Sequence, residues 1–194
     1  MGKTRKNNLK NRKNTFTEID YQSNDGMLTS VWGPGMWHYL HTMSFNYPVK
    51  PTCHDKKHYS EFIYSLRNVL PCGKCRKNLC KNLKRLPLRI SNMESRATFS
   101  KYIYDLHELI NKMLGKKSGL TYETVRERYE HFRARCAKIK KNRTAKKLEK
   151  GCTVPLYGEK ARCILKIVPE DTKCETLEID DKCIKKPLYD VMSK

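Results

Sequence analysis

Pro71-Cys72-Gly73-Lys74-Cys75 is the stretch from which the organisation of this chain can be worked out. It places two cysteines three residues apart between two segments of helical apolar periodicity, so the pair falls at the start of a helix. The apolar positions of the flanking segments are Phe62, Leu66, Val69 and Leu70 before the pair, and Leu79 and Leu83 after it. A helix N-terminus presents unpaired N–H groups and a partial positive charge, which stabilise a thiolate. The pattern therefore predicts thiol–disulfide chemistry at Cys72 and Cys75.

Helical periodicity extends on both sides of this pair, from about residue 29 to residue 136, with Pro and Gly breakers between the segments. The other apolar stripes run through Trp32, Met36, Leu40 and Met43, through Phe99, Ile103, Leu106, Ile110 and Met113, and through Val125, Tyr129 and Phe132. Thr121 is the predicted N-cap of the last helix. We therefore predict an all-α fold, a four-helix bundle with a short fifth helix, followed by a C-terminal extension that is irregular or β-like.

Composition divides the chain into four predicted parts. We expect a basic, disordered N-terminal segment over residues 1–28, the helical domain over 29–137, a basic linker over 138–150 and a cysteine-containing extension over 151–194. The net charge is +21, and residues 133–150 hold 9 Lys and Arg against 1 acidic residue. Such a run is a solvated linker or a non-specific contact for nucleic acid. The sequence shows neither a secretory signal nor a membrane-spanning run, so neither is expected.

Nine cysteines are many for a chain without a secretory signal, because a reducing compartment disfavours structural disulfides. They are Cys53, Cys72, Cys75, Cys80, Cys136, Cys152, Cys163, Cys174 and Cys183. A zinc knuckle built from Cys72, Cys75 and Cys80 would need its fourth ligand at Arg85, which cannot serve, so no metal site is predicted. A protein that itself handles disulfides accounts for the number better.

Two further pairs of polar and aromatic residues have helical spacing. Trp37 and His41 are four residues apart, as are His107 and Asn111, so each pair shares one helix face. Two such faces could hold a flat aromatic ligand by stacking and hydrogen bonding. The cations placed to meet phosphates of that ligand are Lys116, Lys117 and Arg128.

Taken in order, these motifs resemble the Erv/ALR family of FAD-linked sulfhydryl oxidases. The resemblance covers roughly residues 30–132 and rests on the Trp32–Thr42 segment, the Cys72/Cys75 pair and the His107–Lys117 segment. The members from large cytoplasmic DNA viruses are the most similar. The resemblance implies a helical bundle that cradles FAD, usually as a homodimer. It also implies that Cys75 lies against the flavin and that Cys72 exchanges with substrate.

The resemblance also assigns the FAD contacts residue by residue. They are Trp32, Gly33, Trp37, His41, Tyr47, His107, Asn111, Leu114, Lys116, Lys117, Arg128 and Tyr129. Three positions depart from the usual family pattern. Glu108 stands where Asn is usual, Tyr129 where Trp is common, and Asn46 where an aromatic residue is common.

The implied function is oxidation of protein dithiols to disulfides, with electrons passing through Cys72, Cys75 and FAD to molecular oxygen and hydrogen peroxide released. A viral member would work in the host cytoplasm or in the virion. Family members commonly carry a second, shuttling cysteine pair, for which Cys152, Cys163, Cys174 and Cys183 are candidates. The alternatives are a thioredoxin-like exchanger, which needs a βαβ context, and a basic nucleic-acid-binding virion protein.

Overall fold

A computed structural model describes residues 17–134, 152–173 and 177–184. These ranges contain six α-helices, two 3-10 turns at Ile90–Met93 and Asp181–Cys183, and no β-strand. The helices are α1 (Glu18–Tyr21), α2 (Thr29–Phe45), α3 (Cys53–Val69), α4 (Gly73–Arg85), α5 (Arg96–Met113) and α6 (Tyr122–Glu130). Helices α2 to α5 with the shorter α6 confirm the predicted all-α fold. No helix in the described ranges is both long and apolar enough to cross a bilayer.

Side-chain caps fix where the bundle helices begin. Thr52 and Ser95 each accept a hydrogen bond from the backbone N–H of the third helical residue, before α3 and α5. Thr121 does the same before α6, which confirms the predicted N-cap. Helix α2 begins at Thr29 and continues through Pro34, whose ring lacks the N–H for one intrahelical bond. The motif residues Trp37 and His41 therefore follow on an unbroken helix.

The hydrophobic core is built around α5, which packs against α2 and α4. Phe99, Tyr102, Ile103 and Leu106 are all at most 2 % exposed, and they recur at the helical spacing that the sequence predicts. Tyr47, in the loop after α2, is fully buried beside Phe99 and donates its hydroxyl hydrogen to the Met93 carbonyl. This packing holds α2 and α5 side by side, and the site residues lie on both helices.

Helix α1 and the described part of the extension lie outside the bundle. Helix α1 begins at a capping box between Thr17 and Asp20. It lies within residues 1–28, where the sequence predicts a disordered segment and no helix. The extension follows α6: the Leu156 N–H donates to the Arg133 carbonyl, and Ala134 pairs with Pro155 in an isolated bridge. The described part of the extension is irregular apart from one 3-10 turn. The predicted linker, residues 138–150, lies outside the described residues.

Candidate active site

Cys72 and Cys75 lie at the beginning of α4, as the sequence predicts. Cys72 is the N-cap, and its Sγ accepts a hydrogen bond from the Cys75 backbone N–H at 3.2 Å. Both residues are half-buried free thiols. Hydrogen bonds from the Cys75 thiol and then from its N–H lower the pKa of Cys72, whereas burial raises the pKa of Cys75. The two thiols are therefore unequal, and Cys72 is the one that ionises more readily.

The segment before α2, residues 23–28, lies against the loop that carries this pair, and we call it the arm. The Met27 N–H donates to the Pro71 carbonyl at 2.8 Å, and the Trp32 indole N–H donates to the Met27 carbonyl. Gly26 lies so close to the Pro71 backbone that a Cβ on residue 26 would be 2.9 Å from the Pro71 carbonyl oxygen. The arm thus runs against the loop that presents the thiols, and only glycine fits at its point of closest approach.

Thr29, at the start of α2, adds a hydroxyl to the thiol pair. Its Oγ1 lies 3.7 Å from the Cys75 Sγ, and this hydrogen bond acts to lower the pKa of both thiols. No pattern in the sequence connects Thr29 with Cys75, because the two are 46 residues apart. Only the packing of the arm against α4 reveals the contact.

The second part of the site is an aromatic cluster between α2, α5 and α6. The Trp37 and His107 rings are stacked, with centroids 3.8 Å apart and planes 8° apart. His41 Nε2 lies 3.0 Å from His107 Nδ1. Tyr129 lies beside His41 with a centroid distance of 5.4 Å. The face of α2 that carries Trp37 and His41 therefore does meet the face of α5 that carries His107.

His41 and His107 are both uncharged near neutral pH. Burial, followed by the neighbouring His107, lowers the pKa of His41 to about 3, and burial lowers the pKa of His107 to about 4. The Nδ1 atom of His41 is buried and has no hydrogen-bond partner among the residues that the structure describes. A buried polar nitrogen without a partner costs free energy unless a ligand satisfies it. The His41–His107 pair is therefore uncharged and has room for one more polar partner.

Two members of the cluster were not among the sequence-predicted site residues. Phe45 is stacked on Tyr129, and His38 Nδ1 lies 3.3 Å from the Tyr129 hydroxyl oxygen. Phe45 follows His41 by four residues, so continuing the helical spacing of Trp37 and His41 would have found it. His38 has no comparable signal, since it contacts Tyr129 from an adjacent face of α2. Burial raises the pKa of Tyr129 to about 12, so its hydroxyl stays protonated.

The predicted phosphate-contacting residues lie near the end of α5 and on α6. The Asn111 side-chain amide donates to the Glu108 carboxylate. The Asn111 backbone carbonyl accepts from the Lys116 N–H, and this bond closes the turn after α5, in which Gly115 has a φ of +68°. Leu114, Lys116 and Lys117 are exposed, and Arg128 is half-buried next to Tyr129. Lys116 and Lys117 thus lie in the exposed loop after α5, and Arg128 lies on α6 next to the cluster residue Tyr129.

Three sequence-predicted contacts lie elsewhere. Tyr47 is a fully buried core residue. Trp32 lines an apolar cavity of about 440 Å³ with Leu70 and Pro71, on the side of α2 near the thiol pair. Gly33 is buried in α2, where an added Cβ would meet only the Thr29 methyl group. The side chains of Trp32 and Tyr47 contribute no ring to the Trp37 cluster in the described contacts.

Comparison with known proteins identifies the family. The family model of the Erv1/Alr family matches residues 34–130, which is half of the chain and holds the thiol pair and the aromatic cluster. The chain belongs to the Erv1/Alr family. It is 40% identical over 104 residues to a probable FAD-linked sulfhydryl oxidase of Acanthamoeba polyphaga mimivirus, with 54% of this chain and 72% of the relative covered.

Other similar proteins carry the same description. The chain is 30% identical to the FAD-linked sulfhydryl oxidase of African swine fever virus over 98 residues, which is 50% of this chain and 80% of the relative. Among solved structures, the yeast Erv1 core is 22% identical with a TM-score of 0.48, and the alignment covers 60% of this chain and 92% of that one. Two viral proteins are therefore among the similar sequences.

The residues present fit FAD on the evidence of their own geometry. A flat ring system suits the neutral aromatic walls of Trp37, His107 and Tyr129. The orphaned His41 Nδ1 offers it a hydrogen bond. Lys116, Lys117 and Arg128 carry the charge that a pyrophosphate requires.

Proposed function

We propose that this chain is an FAD-linked sulfhydryl oxidase that forms disulfide bonds in protein substrates, with Cys72 and Cys75 as its redox pair. The observation that carries the assignment is the thiol pair at the N-terminus of α4, in a chain of the Erv1/Alr family. When bound, FAD accepts two electrons from the reduced pair and passes them to molecular oxygen, which is released as hydrogen peroxide.

The thiol exchange is divided between the two cysteines by their environments. A substrate thiolate attacks the Cys72 sulfur of the Cys72–Cys75 disulfide, an S–S bond forms between substrate and Cys72, and Cys75 leaves as a thiolate. Cys72 is assigned as the point of attack from the family resemblance and from its place at the N-cap of α4. The raised pKa of Cys75 by itself makes Cys75 the poorer leaving group, so its thiolate needs stabilisation by a neighbour. The Thr29 hydroxyl, 3.7 Å from the Cys75 sulfur, stabilises the negative charge that appears there.

The second half of the exchange releases the product. The other substrate thiolate attacks its partner sulfur in the mixed disulfide, and Cys72 leaves as a thiolate. A thiol of lower pKa leaves faster, and the N–H of Cys75 that donates to the Cys72 sulfur stabilises this leaving group. The substrate has then lost two electrons and two protons, and both cysteines are reduced.

In the holoenzyme, the ring system of FAD would be held by Trp37, His41, His107, Asn111 and Tyr129. Its phosphates would lie near Lys116, Lys117 and Arg128. The neutral histidines support this role because uncharged rings can stack and share hydrogen bonds without a charge to solvate. The remaining predicted contacts are Trp32, Gly33, Tyr47 and Leu114, and Tyr47 would act only through its backbone or by packing.

The chain would work as a homodimer through the apolar face that α2 and α3 share. This face surrounds the 440 Å³ cavity and includes Tyr39 and Val69, which are 53% and 67% exposed. Exposed apolar side chains of this size grouped on one face mark an interaction site. Sedimentation of the Tyr39→Lys/Val69→Lys variant should give a monomer where the parent gives a dimer. An unchanged dimer would place the interface elsewhere.

The assignment is tested by oxidation of dithiothreitol in air by the purified protein. We expect one hydrogen peroxide for each dithiol oxidised, and loss of this activity in either Cys72→Ser or Cys75→Ser. Activity retained in both variants would refute the assignment of the pair. The viral relatives suggest work in an infected cell or a virion, with molecular oxygen as the terminal acceptor.

A further inference from the structure

Helix α4, which begins at the redox pair, carries the most one-sided charge of the bundle. Its six charged residues are all cationic: Lys74, Arg76, Lys77, Lys81, Lys84 and Arg85. By contrast, α3, α5 and α6 each mix acidic with basic residues, and α2 has no charged residue. The strong positive charge is therefore a local feature of this helix and not only a consequence of the basic composition of the chain.

These cations are available to a partner. The opposite side of α4 is buried in the core through Leu79, Asn82 and Leu83. Arg76 is the exception among the cations, since it donates to the Leu70 carbonyl. The other five are exposed, and none of the ion pairs within the described residues includes a residue of α4. We define Lys74, Lys77, Lys81, Lys84 and Arg85 as the basic face of α4.

We propose that the basic face of α4 selects protein substrates whose thiol pair is flanked by acidic residues. The inference rests on the proposed function and specifies its substrate class. A 13-residue helix is roughly 20 Å long, so the face extends from the exchanging sulfur of Cys72 over the length of several substrate residues. A substrate segment with carboxylates beside its thiols would bind along α4 while one thiol reaches Cys72.

Charge complementarity favours this occupant for two reasons. The attacking group is itself an anion, since only the thiolate exchanges, and the field of the face attracts it. A basic substrate would be repelled both by α4 and by the net charge of +21. A nucleic acid would also be attracted, but it offers nothing that reacts at Cys72.

The test uses peptides with one Cys-x-x-Cys pair, flanked by Glu, by Gln or by Lys, and the full-length holoprotein at low and high salt. We expect kcat/KM for the Glu peptide to exceed that for the Lys peptide by about tenfold or more at low ionic strength, with the ratio shrinking in high salt. The Lys77→Glu/Lys81→Glu variant should lose or invert this ratio. The matched control, Lys50→Glu/Lys57→Glu, changes two exposed lysines outside α4 and should keep it.

A second readout does not depend on turnover. Each peptide, with a single thiol activated as its thionitrobenzoate disulfide, is mixed with the reduced Cys75→Ser protein and, in parallel, with the reduced Cys72→Ser/Cys75→Ser protein. The second protein gives the background from the other free thiols, such as Cys53 and Cys163, and the difference in released coloured thiolate reports exchange at Cys72. The same order of peptides is expected. If dithiothreitol is not oxidised but this order holds, the oxidase assignment fails and the recognition stands. Equal exchange rates for the Glu and Lys peptides would overturn the proposal. If the protein then binds a DNA duplex and Lys77→Glu/Lys81→Glu abolishes that binding, the basic face of α4 binds nucleic acid instead.

Discussion

His41 Nε2 and His107 Nδ1 face each other at 3.0 Å, and both rings are neutral near pH 7. One nitrogen of this pair must donate and the other accept, so a second proton would set two donors against each other. The shared proton joins α2 to α5 at the centre of the aromatic cluster. Burial of both rings keeps them uncharged and so permits this hydrogen bond. Protonation of both rings would break the bond, so the contact between α2 and α5 is sensitive to acid.

We predict that acid destabilises the folded apoprotein through this pair. The pKa of His41 is about 3 when folded and near 6.5 when unfolded, so between those values the unfolded chain binds more protons. Stability should therefore fall as pH drops below 6.5, by up to about 1.4 kcal/mol per pH unit for a fully buried histidine. Urea unfolding at pH 7 and pH 5 measures the difference.

The variant His41→Gln isolates the histidine contribution from that of the carboxylates. It cannot be protonated, so its loss of stability from pH 7 to pH 5 should be clearly smaller than that of the parent. Equal losses in the two proteins would show that His41 does not stay neutral in the fold.

Thr29 should control the reactivity of Cys75. Thr29→Val keeps the shape of the side chain and removes the hydroxyl that lies 3.7 Å from the Cys75 sulfur. In a Cys72→Ser background, the pH at which Cys75 is half-maximally alkylated by iodoacetamide should rise, because the thiolate loses a hydrogen bond. Thr29→Ser should restore the parent value. The same alkylation midpoint in all three proteins would mean that Thr29 has no effect on the thiol.

Gly26→Ala should detach the arm from the thiol loop. An Ala Cβ would lie 2.9 Å from the Pro71 oxygen, so the backbone must shift and the Met27–Pro71 hydrogen bond must weaken. We expect faster amide exchange at Met27 and a cost of about 1–3 kcal/mol. Gly35→Ala is the control, because a Cβ there would meet no atom of the described residues within 4 Å apart from its own stretch of helix. Unchanged exchange at Met27 in Gly26→Ala would contradict the close approach.

These contacts show what the sequence could and could not predict. Phe99, Tyr102, Ile103 and Leu106 recur with a helical period, so the bundle and its core could be predicted from local pattern alone. The meeting of Trp37 with His107 could be expected only from the resemblance, since the two are 70 positions apart in the printed sequence. Tyr47 is predicted as a cofactor contact from the resemblance alone, and its burial beside Phe99 could not be predicted, because nothing local distinguishes a core tyrosine from a cofactor contact.

The extension should affect protein substrates more than small dithiols if it carries a shuttle. Cys152 is disulfide-bonded, whereas Cys163 is a free, exposed thiol. Cys152→Ser should then slow oxidation of a reduced protein and leave dithiothreitol oxidation intact, because a tethered disulfide acts at an effective concentration of about millimolar. Cys53→Ser, which removes an exposed free thiol of α3, is the control. Equal rates on the protein substrate would leave the extension without a redox role.

The cofactor site itself is tested by a double substitution. Changing His107 and Asn111 to Ala together removes the ring stacked on Trp37 and the side chain that pairs with Glu108. We expect a protein that is still helical by circular dichroism but colourless after gel filtration. Full retention of FAD would show that the cofactor binds outside the aromatic cluster.

The most direct test of the whole account is an anaerobic titration of the purified protein with dithiothreitol, followed by the visible absorption of flavin. We predict a yellow protein whose colour is bleached by stoichiometric dithiol, and a Cys72→Ser/Cys75→Ser variant that is equally yellow but bleaches far more slowly. A protein that stays colourless when supplied with FAD, or a double variant that bleaches as fast as the parent, would contradict it.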